Sequence, residues 1–139
     1  MNPIIIDHHK VDSDLPVSYA HINPSREEDS SGLNDLAAVG LTFIFIVGLR
    51  RAIRDKNIFP DIKEPSLKQY LDLVALGTVC DVVPLVSLNR VFVQQGIILM
   101  KYRKNIGIKI ASIIDSFDLQ ILSLLNMILL SFSLLHDEK

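Results

Sequence analysis

The sequence has few of the features that define several large protein classes. A single cysteine among 139 residues excludes an intrachain disulfide framework and favours a reducing compartment. The formal net charge of −2 does not predict nucleic-acid binding by charge alone. The two longest apolar runs, 36–49 and 121–135, fall short of the ~20 residues that span a bilayer. No basic segment followed by an apolar core marks a secretory signal, so we predict a cytoplasmic protein without membrane contact.

The most informative stretch is Ile4-Ile5-Ile6, which is followed at once by Asp7, His8 and His9. A short β-branched apolar run predicts a buried strand of a parallel sheet. In open α/β sheets, ligands bind just outside the carboxyl ends of such strands. A carboxylate and two imidazoles at that point suit a divalent cation such as Mn²⁺, Zn²⁺ or Mg²⁺. A polar turn in which Asp7 caps the next segment is the alternative interpretation.

A second stretch, 75–85, places one carboxylate, Asp81, inside an otherwise apolar run. Burying a carboxylate is costly unless it is paired or bound to a cation. A cap on a helix or turn would also explain Asp81 when this stretch is considered in isolation. The neighbouring Cys80 could be a thiolate ligand or a redox switch, but we expect it to be a small buried filler.

Together the two stretches resemble the DHH phosphoesterases, and within them the RecJ-type single-strand-specific DNA exonucleases. The resemblance is carried by a strand ending in Asp7-His8-His9 and by the later run Ala-Leu-Gly-Thr-Val-Cys-Asp-Val-Val-Pro-Leu, followed by Asn89-Arg90. The segments 22–24, 36–40 and 71–74 fit the same pattern in the same order. The resemblance extends over roughly residues 3–115.

This resemblance implies an α/β fold, specifically a helix-rich fragment of a parallel-sheet DHH phosphoesterase domain. Residues 1–118 would form the C-terminal part of that domain and would lack its N-terminal strands. Residues 119–139 depart from the family as an apolar tail. A change of reading frame is our hypothesis for this tail, and a genuine apolar helix is the alternative. We expect the tail to be the least integrated part of the chain.

The resemblance also implies a two-metal site that takes Mn²⁺ or Mg²⁺. His8 and Asp81 would be metal ligands. His9 would contact the scissile phosphate or stabilise the transition state, and Asp7 would orient the histidines or support the metal. Asp7, His8 and Asp81 are therefore predicted to converge, although Asp81 lies far from the other two in sequence.

Asn89 and Arg90 are the predicted substrate-binding residues. They fall in the first turns of a predicted helix, where exposed amides and a cation can attract a phosphate. Arg90 could also pair with Asp81, and the two interpretations are compatible.

The predicted function is that of a fragment of a metal-dependent 5′-to-3′ exonuclease whose partner is single-stranded DNA. The family uses an Asp-x-Asp motif and a further aspartate from earlier strands, which this chain lacks, so we expect it to be inactive alone. One alternative is a phosphodiesterase acting on short oligonucleotides or cyclic dinucleotides. Another is a non-catalytic piece that complements a separately encoded N-terminal half.

Local patterns predict the remaining elements. We expect a second strand at 17–22 and helices at 36–55, 67–77, 87–102 and 106–117. Side-chain caps are predicted from Asn34-Asp35, Ser66 and Ser87. The basic residues 50, 51, 54 and 56 end the first helix, where cations favour the helix dipole. Contact with a DNA backbone is the alternative for this cluster.

Overall fold

A computed structural model describes residues 1–11, 15–102 and 104–113, with side-chain environments through Lys109 except at 103. The described elements are two strands, four α-helices and one 3₁₀ helix: β1 Ile4–Ile6, β2 Ala20–Ile22, α1 Ala38–Asp55, the 3₁₀ helix Leu67–Tyr70, α2 Leu71–Cys80, α3 Ser87–Met100 and α4 Ile106–Ile113. This helix-rich α/β arrangement confirms the predicted fold class. The predicted continuation of α4 to residue 117 and the tail 119–139 lie outside the described residues.

The two strands pair in parallel, with Ile4 opposite Ala20 and Ile6 opposite Ile22. β2 is shorter than the predicted 17–22. Two further backbone hydrogen bonds extend the ladder, from the Asp7 amide to the Ile22 carbonyl at 3.0 Å and from the Tyr19 amide to the Pro3 carbonyl at 2.8 Å. Because the strands run in the same direction, the segments after Ile6 and Ile22 leave the sheet at the same edge.

Helices α2 and α3 form a closely packed hairpin because α3 carries a glycine at the crossing point. A Cβ atom at Gly96 would lie 2.2 Å from the Leu71 carbonyl oxygen and 2.3 Å from the Ala75 Cβ. Only glycine therefore permits this approach. The core around the hairpin contains Ala75, Val93, Ile97, Met100 and Ile108. Asp81, at the end of α2, is thus attached to the most tightly packed part of the fold.

Helix α1 links the strands to this hairpin through a second core cluster. Leu36, Leu41, Val74 and Phe92 are buried together, and the strand residue Ile6 packs against them. Ile46, on the outer face of α1, remains 40% exposed.

The predicted side-chain caps are wrong. Helix α1 begins after Ala37, the 3₁₀ helix after Ser66 and α3 after Val86, and none of these residues makes a side-chain cap hydrogen bond. Tertiary packing rather than local capping fixes these starts.

Among the described helices, none has the combination of length and apolar character needed to cross a bilayer.

Candidate active site

The loop after β1 is organised by the Asp7 carboxylate. Its Oδ1 accepts hydrogen bonds from the His8 amide at 2.8 Å, the His9 amide at 3.3 Å and the His9 ring Nδ1 at 2.6 Å. The hydrogen bond from His9 is the main reason that the pKa of Asp7 is lowered. The same hydrogen bond raises the pKa of His9, with a Coulombic contribution from Asp7 next. Asp7 therefore holds both the loop backbone and the His9 ring.

Two residues after β2 hold the same loop from the other side. The Asn23 Nδ2 donates to the His9 carbonyl at 2.9 Å, and the Ser25 hydroxyl donates to the His8 carbonyl at 2.9 Å. The Asn23 Oδ1 in turn accepts from the Ser25 amide at 2.8 Å. None of these contacts was predicted from the sequence, in which residues 22–24 served only as part of the family pattern.

Asp81 is presented by the end of α2. It occupies the C-cap position, and its amide donates to the Gly77 carbonyl at 3.0 Å. The chain then turns through Val82, whose φ of 56° is left-handed. The C-terminus of a helix carries partial negative charge, which disfavours a carboxylate. A cation or a charged imidazole beside Asp81 would offset that repulsion.

His8 and Asp81 meet across the gap between the strands and α2. The His8 Nε2 lies 3.0 Å from the Asp81 Oδ2, and the two side chains are 14% and 36% exposed. Two adjacent ligand atoms bound to one cation at about 2.1 Å lie about 3 Å apart, so the pair fits one divalent cation. Within the described residues no group of three or more His, Cys, Asp or Glu side chains is placed to hold a metal ion. The pair therefore fits as part of a metal site.

The other predicted site residues are placed differently. Asn89 is 0% exposed, and its Nδ2 donates to the carbonyls of Asp35 at 2.6 Å and Pro84 at 2.9 Å. This corrects the expectation that the Asn89 amide faces a substrate, because both of its protons are used inside the fold. Arg90 is half-buried, and it forms no ion pair with Asp81.

Cys80 and the basic end of α1 also differ from simple expectation. Cys80 was expected to be a buried filler, but it is exposed. At the end of α1, the Arg54 guanidinium contacts both Glu64 oxygens, at 2.5 and 2.6 Å. This pairing raises the pKa of Arg54 and lowers the pKa of Glu64. Arg51 pairs with Asp55 one turn later, so much of this cluster is neutralised by neighbours.

An Asp-His-His turn at the end of a parallel strand, facing an aspartate at the end of a helix, is the arrangement that the DHH resemblance predicts. Comparison with known proteins identifies the relatives. The chain is 44% identical over 96 residues to the single-stranded-DNA-specific exonuclease RecJ of Salmonella typhimurium, and 43% identical over 95 residues to that of Escherichia coli. The RecJ of Bacillus subtilis is 28% identical over 109 residues. No family model matches the chain, and no solved structure matches it significantly.

These matches confirm the predicted resemblance to the RecJ-type exonucleases, and the chain corresponds to one segment of such a protein. The match to the Salmonella typhimurium relative covers 68% of this chain and 17% of that protein. The chain thus spans about a sixth of the length of this relative.

Proposed function

We propose that this chain is the segment of a metal-dependent single-stranded-DNA exonuclease that supplies half of its metal site. The observation that carries the proposal is the 3.0 Å approach of His8, in the loop after β1, to Asp81, at the end of α2. We extend to this chain the single-stranded-DNA exonuclease activity for which its relatives are named. Mn²⁺ or Mg²⁺ is the proposed cation, in the two-metal arrangement implied by the family resemblance.

Each side chain has a proposed role. His8 and Asp81 would hold the cation, which when bound would activate water and stabilise charge on the phosphodiester. The exposed His9, held by Asp7, would face the scissile phosphate. A protonated ring suits that role, and the pKa of His9 is raised by Asp7. Arg90 remains the proposed contact to substrate phosphate, because its guanidinium has no partner among the described residues.

We expect the isolated chain to be inactive. His8 and Asp81 supply two ligands, whereas a two-metal site needs more oxygen and nitrogen donors than that. The assay is degradation of a 5′-labelled single-stranded oligonucleotide with Mn²⁺ or Mg²⁺. Degradation that is lost in His8→Ala would contradict the expectation of inactivity, although it would support the site.

A chimaera tests the proposed activity more directly. The 96 matched residues of this chain would replace the corresponding segment of the Salmonella typhimurium relative. We expect the chimaera to degrade single-stranded DNA from the 5′ end, and His8→Ala or Asp81→Asn to abolish degradation. Asp55→Asn is the matched control, since Asp55 pairs with Arg51 on the outside of α1. A folded chimaera whose activity is unaffected by Asp81→Asn would overturn the site assignment.

Substrate length separates the exonuclease from the phosphodiesterase alternative. The same chimaera would be given long single strands and dinucleotides. Faster turnover of the long strands is the expected result, in keeping with the single-stranded-DNA specificity for which the relatives are named.

A second candidate function is assembly with a separately encoded N-terminal half. The outer face of α1 and the loop after it form an open, mainly apolar cavity of about 360 Å³, whose lining includes Ile46, Leu49, Ile53, Phe59, Ile62 and Leu67. The described sheet has only two strands, and such a sheet is marginal by itself. The apolar cavity favours a further protein segment packed against α1, and the short sheet independently favours further strands beside it.

Co-expression with the N-terminal half of the Salmonella typhimurium relative tests this second function. We expect co-elution, and we expect Ile62→Glu to weaken it. Ile106→Glu is the control, because Ile106 is similarly exposed (75% against 65%) but lies outside this cavity. Equal co-elution of both variants would exclude this surface as the interface.

A further inference from the structure

The His8-His9 segment is held by side chains that the site assignment does not include. Strand β1 ends at Ile6, so the carbonyls of His8 and His9 have no strand partner. Unpaired backbone groups that are partly buried are costly and normally find a donor. Here the donors are the Ser25 hydroxyl and the Asn23 amide, each at 2.9 Å. The contacts link residues that are 17 and 14 positions apart in sequence.

His8 is thereby fixed on both sides of its own Cα. Its amide donates to the Asp7 carboxylate at 2.8 Å, and its carbonyl accepts from Ser25 at 2.9 Å. With both peptide groups held, the direction of the Cα–Cβ bond is set, and the ring reaches Asp81 at 3.0 Å. A shift of either peptide would move the Nε2 atom, which lies at the far end of the ring.

Asn23 forms the rigid part of this arrangement. It is 4% exposed, its side-chain Nδ2 donates to the His9 carbonyl, and its Oδ1 accepts from the Ser25 amide. An aspartate of the same shape could accept from Ser25 but could not donate to His9. Pro24, between Asn23 and Ser25, is also buried and restricts the backbone there.

We propose that Asn23 and Ser25 are positioning residues of the active site. They hold the backbone of His8 and His9 so that the His8 imidazole faces Asp81. The catalytic consequence rests on the proposed function, whereas the geometric claim concerns this chain alone and requires no metal.

The test uses the full chain without metal and follows the ¹⁵N signals of the His8 ring by NMR. Asp81→Asn defines the signals of a His8 ring that has lost its partner. We expect Ser25→Ala and Asn23→Ala to shift the His8 signals toward that reference, because the ring is no longer directed at Asp81. Ser25→Thr, which keeps a hydroxyl, should retain the wild-type signals.

Ser31→Ala is the matched control. Ser31 lies in the same loop and hydrogen-bonds Asp29 at 2.5 Å, away from the histidines. Methyl signals of the core residues Val93 and Ile97 report whether each variant is folded. If Asn23→Ala unfolds the chain, the half-buried Ser25 decides the question, since its hydroxyl makes one hydrogen bond. Wild-type His8 signals in folded Ser25→Ala would overturn the proposal.

A second measurement separates this proposal from the proposed function. In the chimaera, Ser25→Ala should weaken Mn²⁺ binding by about 10-fold or more, with recovery in Ser25→Thr. If the parent chimaera binds no Mn²⁺, the metal-site assignment fails, but the His8 signals of the metal-free chain still test the positioning role.

Discussion

The two halves of the candidate site are stabilised in different ways. His8 comes from a pair of three-residue strands whose first residue, Ile4, is 48% exposed. Asp81 comes from a helical hairpin whose contacts include Val93 at 0% and Ile97 at 2% exposure. Hydrogen bonds accepted by Asp7 and donated by Asn23 and Ser25 therefore define the strand half, whereas apolar packing defines the helical half.

This difference separates the causes of stability from the causes of site geometry. A two-stranded sheet is marginal alone, and here Ile6 connects it to the core cluster with Leu36, Val74 and Phe92. The hairpin depends on close packing, so a substitution that adds or removes side-chain volume there should lower the stability of the fold. Changes in the hairpin should therefore unfold the chain, while changes in the strand half should mainly move His8.

The largest expected effect comes from Gly96→Ala. The added methyl group would meet the Leu71 carbonyl oxygen at 2.2 Å, so α2 and α3 must separate. We expect a loss of about 1–3 kcal/mol in the free energy of unfolding, measured by chemical denaturation.

Gly48→Ala is the control for the same chemical change, because nothing lies within 4 Å of a Cβ at Gly48 in α1. It should stabilise the helix by about 0.5–1 kcal/mol. Equal effects of the two variants would contradict the close helix crossing.

A smaller effect of opposite sign is expected at the turn beside Asp81. Val82 has a φ of 56° and is 87% exposed. Its left-handed backbone conformation is therefore strained, and its exposed side chain gains little stability from packing. Val82→Gly should raise the free energy of unfolding by about 1 kcal/mol. Val17→Gly is the comparison, since Val17 is 98% exposed and lacks a positive φ. Destabilisation by both variants alike would show that Val82 is not strained.

The smallest effect on stability, but a clear effect on titration, is expected in the strand half. Because Asp7 raises the pKa of His9, Asp7→Asn should lower the pKa of His9 toward its ordinary value. At pH values between the lowered pKa of Asp7 and the raised pKa of His9, both side chains are charged and form an ion pair. The contribution of this ion pair to the free energy of unfolding is lost as pH rises through the pKa of His9, or as pH falls through the pKa of Asp7.

An NMR titration of the His9 ring measures this change. Asp29→Asn is the control, because Asp29 bonds to Ser31 and makes no contact with His9. An unchanged pKa of His9 in Asp7→Asn would contradict the pairing.

Two local features of the candidate site were predictable from the sequence. A β-branched run stopping at Asp7 indicated a strand end, and a lone carboxylate in an apolar run indicated that Asp81 needs a partner. Their meeting followed from the family resemblance, since no local pattern relates residues so far apart.

The remaining features depend on tertiary contacts. Asn89 is a polar residue near a helix start, where ligands often bind, yet its side chain donates a hydrogen bond to the Asp35 carbonyl, 54 positions away. The side-chain hydrogen bonds of Asn23 and Ser25 could not be predicted from local sequence for the same reason, because their acceptors are the His9 and His8 carbonyls in the loop after β1. Sequence patterns identify which residues can bind, but packing decides which way they face.

Paramagnetic NMR with Mn²⁺ tests the central claim most directly, because it detects even weak binding to two ligands. The account predicts that Mn²⁺ selectively broadens the amide signals around His8 and Asp81 in the full chain. The broadening should disappear in His8→Ala and in Asp81→Asn, and it should persist in Asp55→Asn. Broadening that is centred elsewhere, or that survives Asp81→Asn unchanged, would contradict a cation site shared by the two halves.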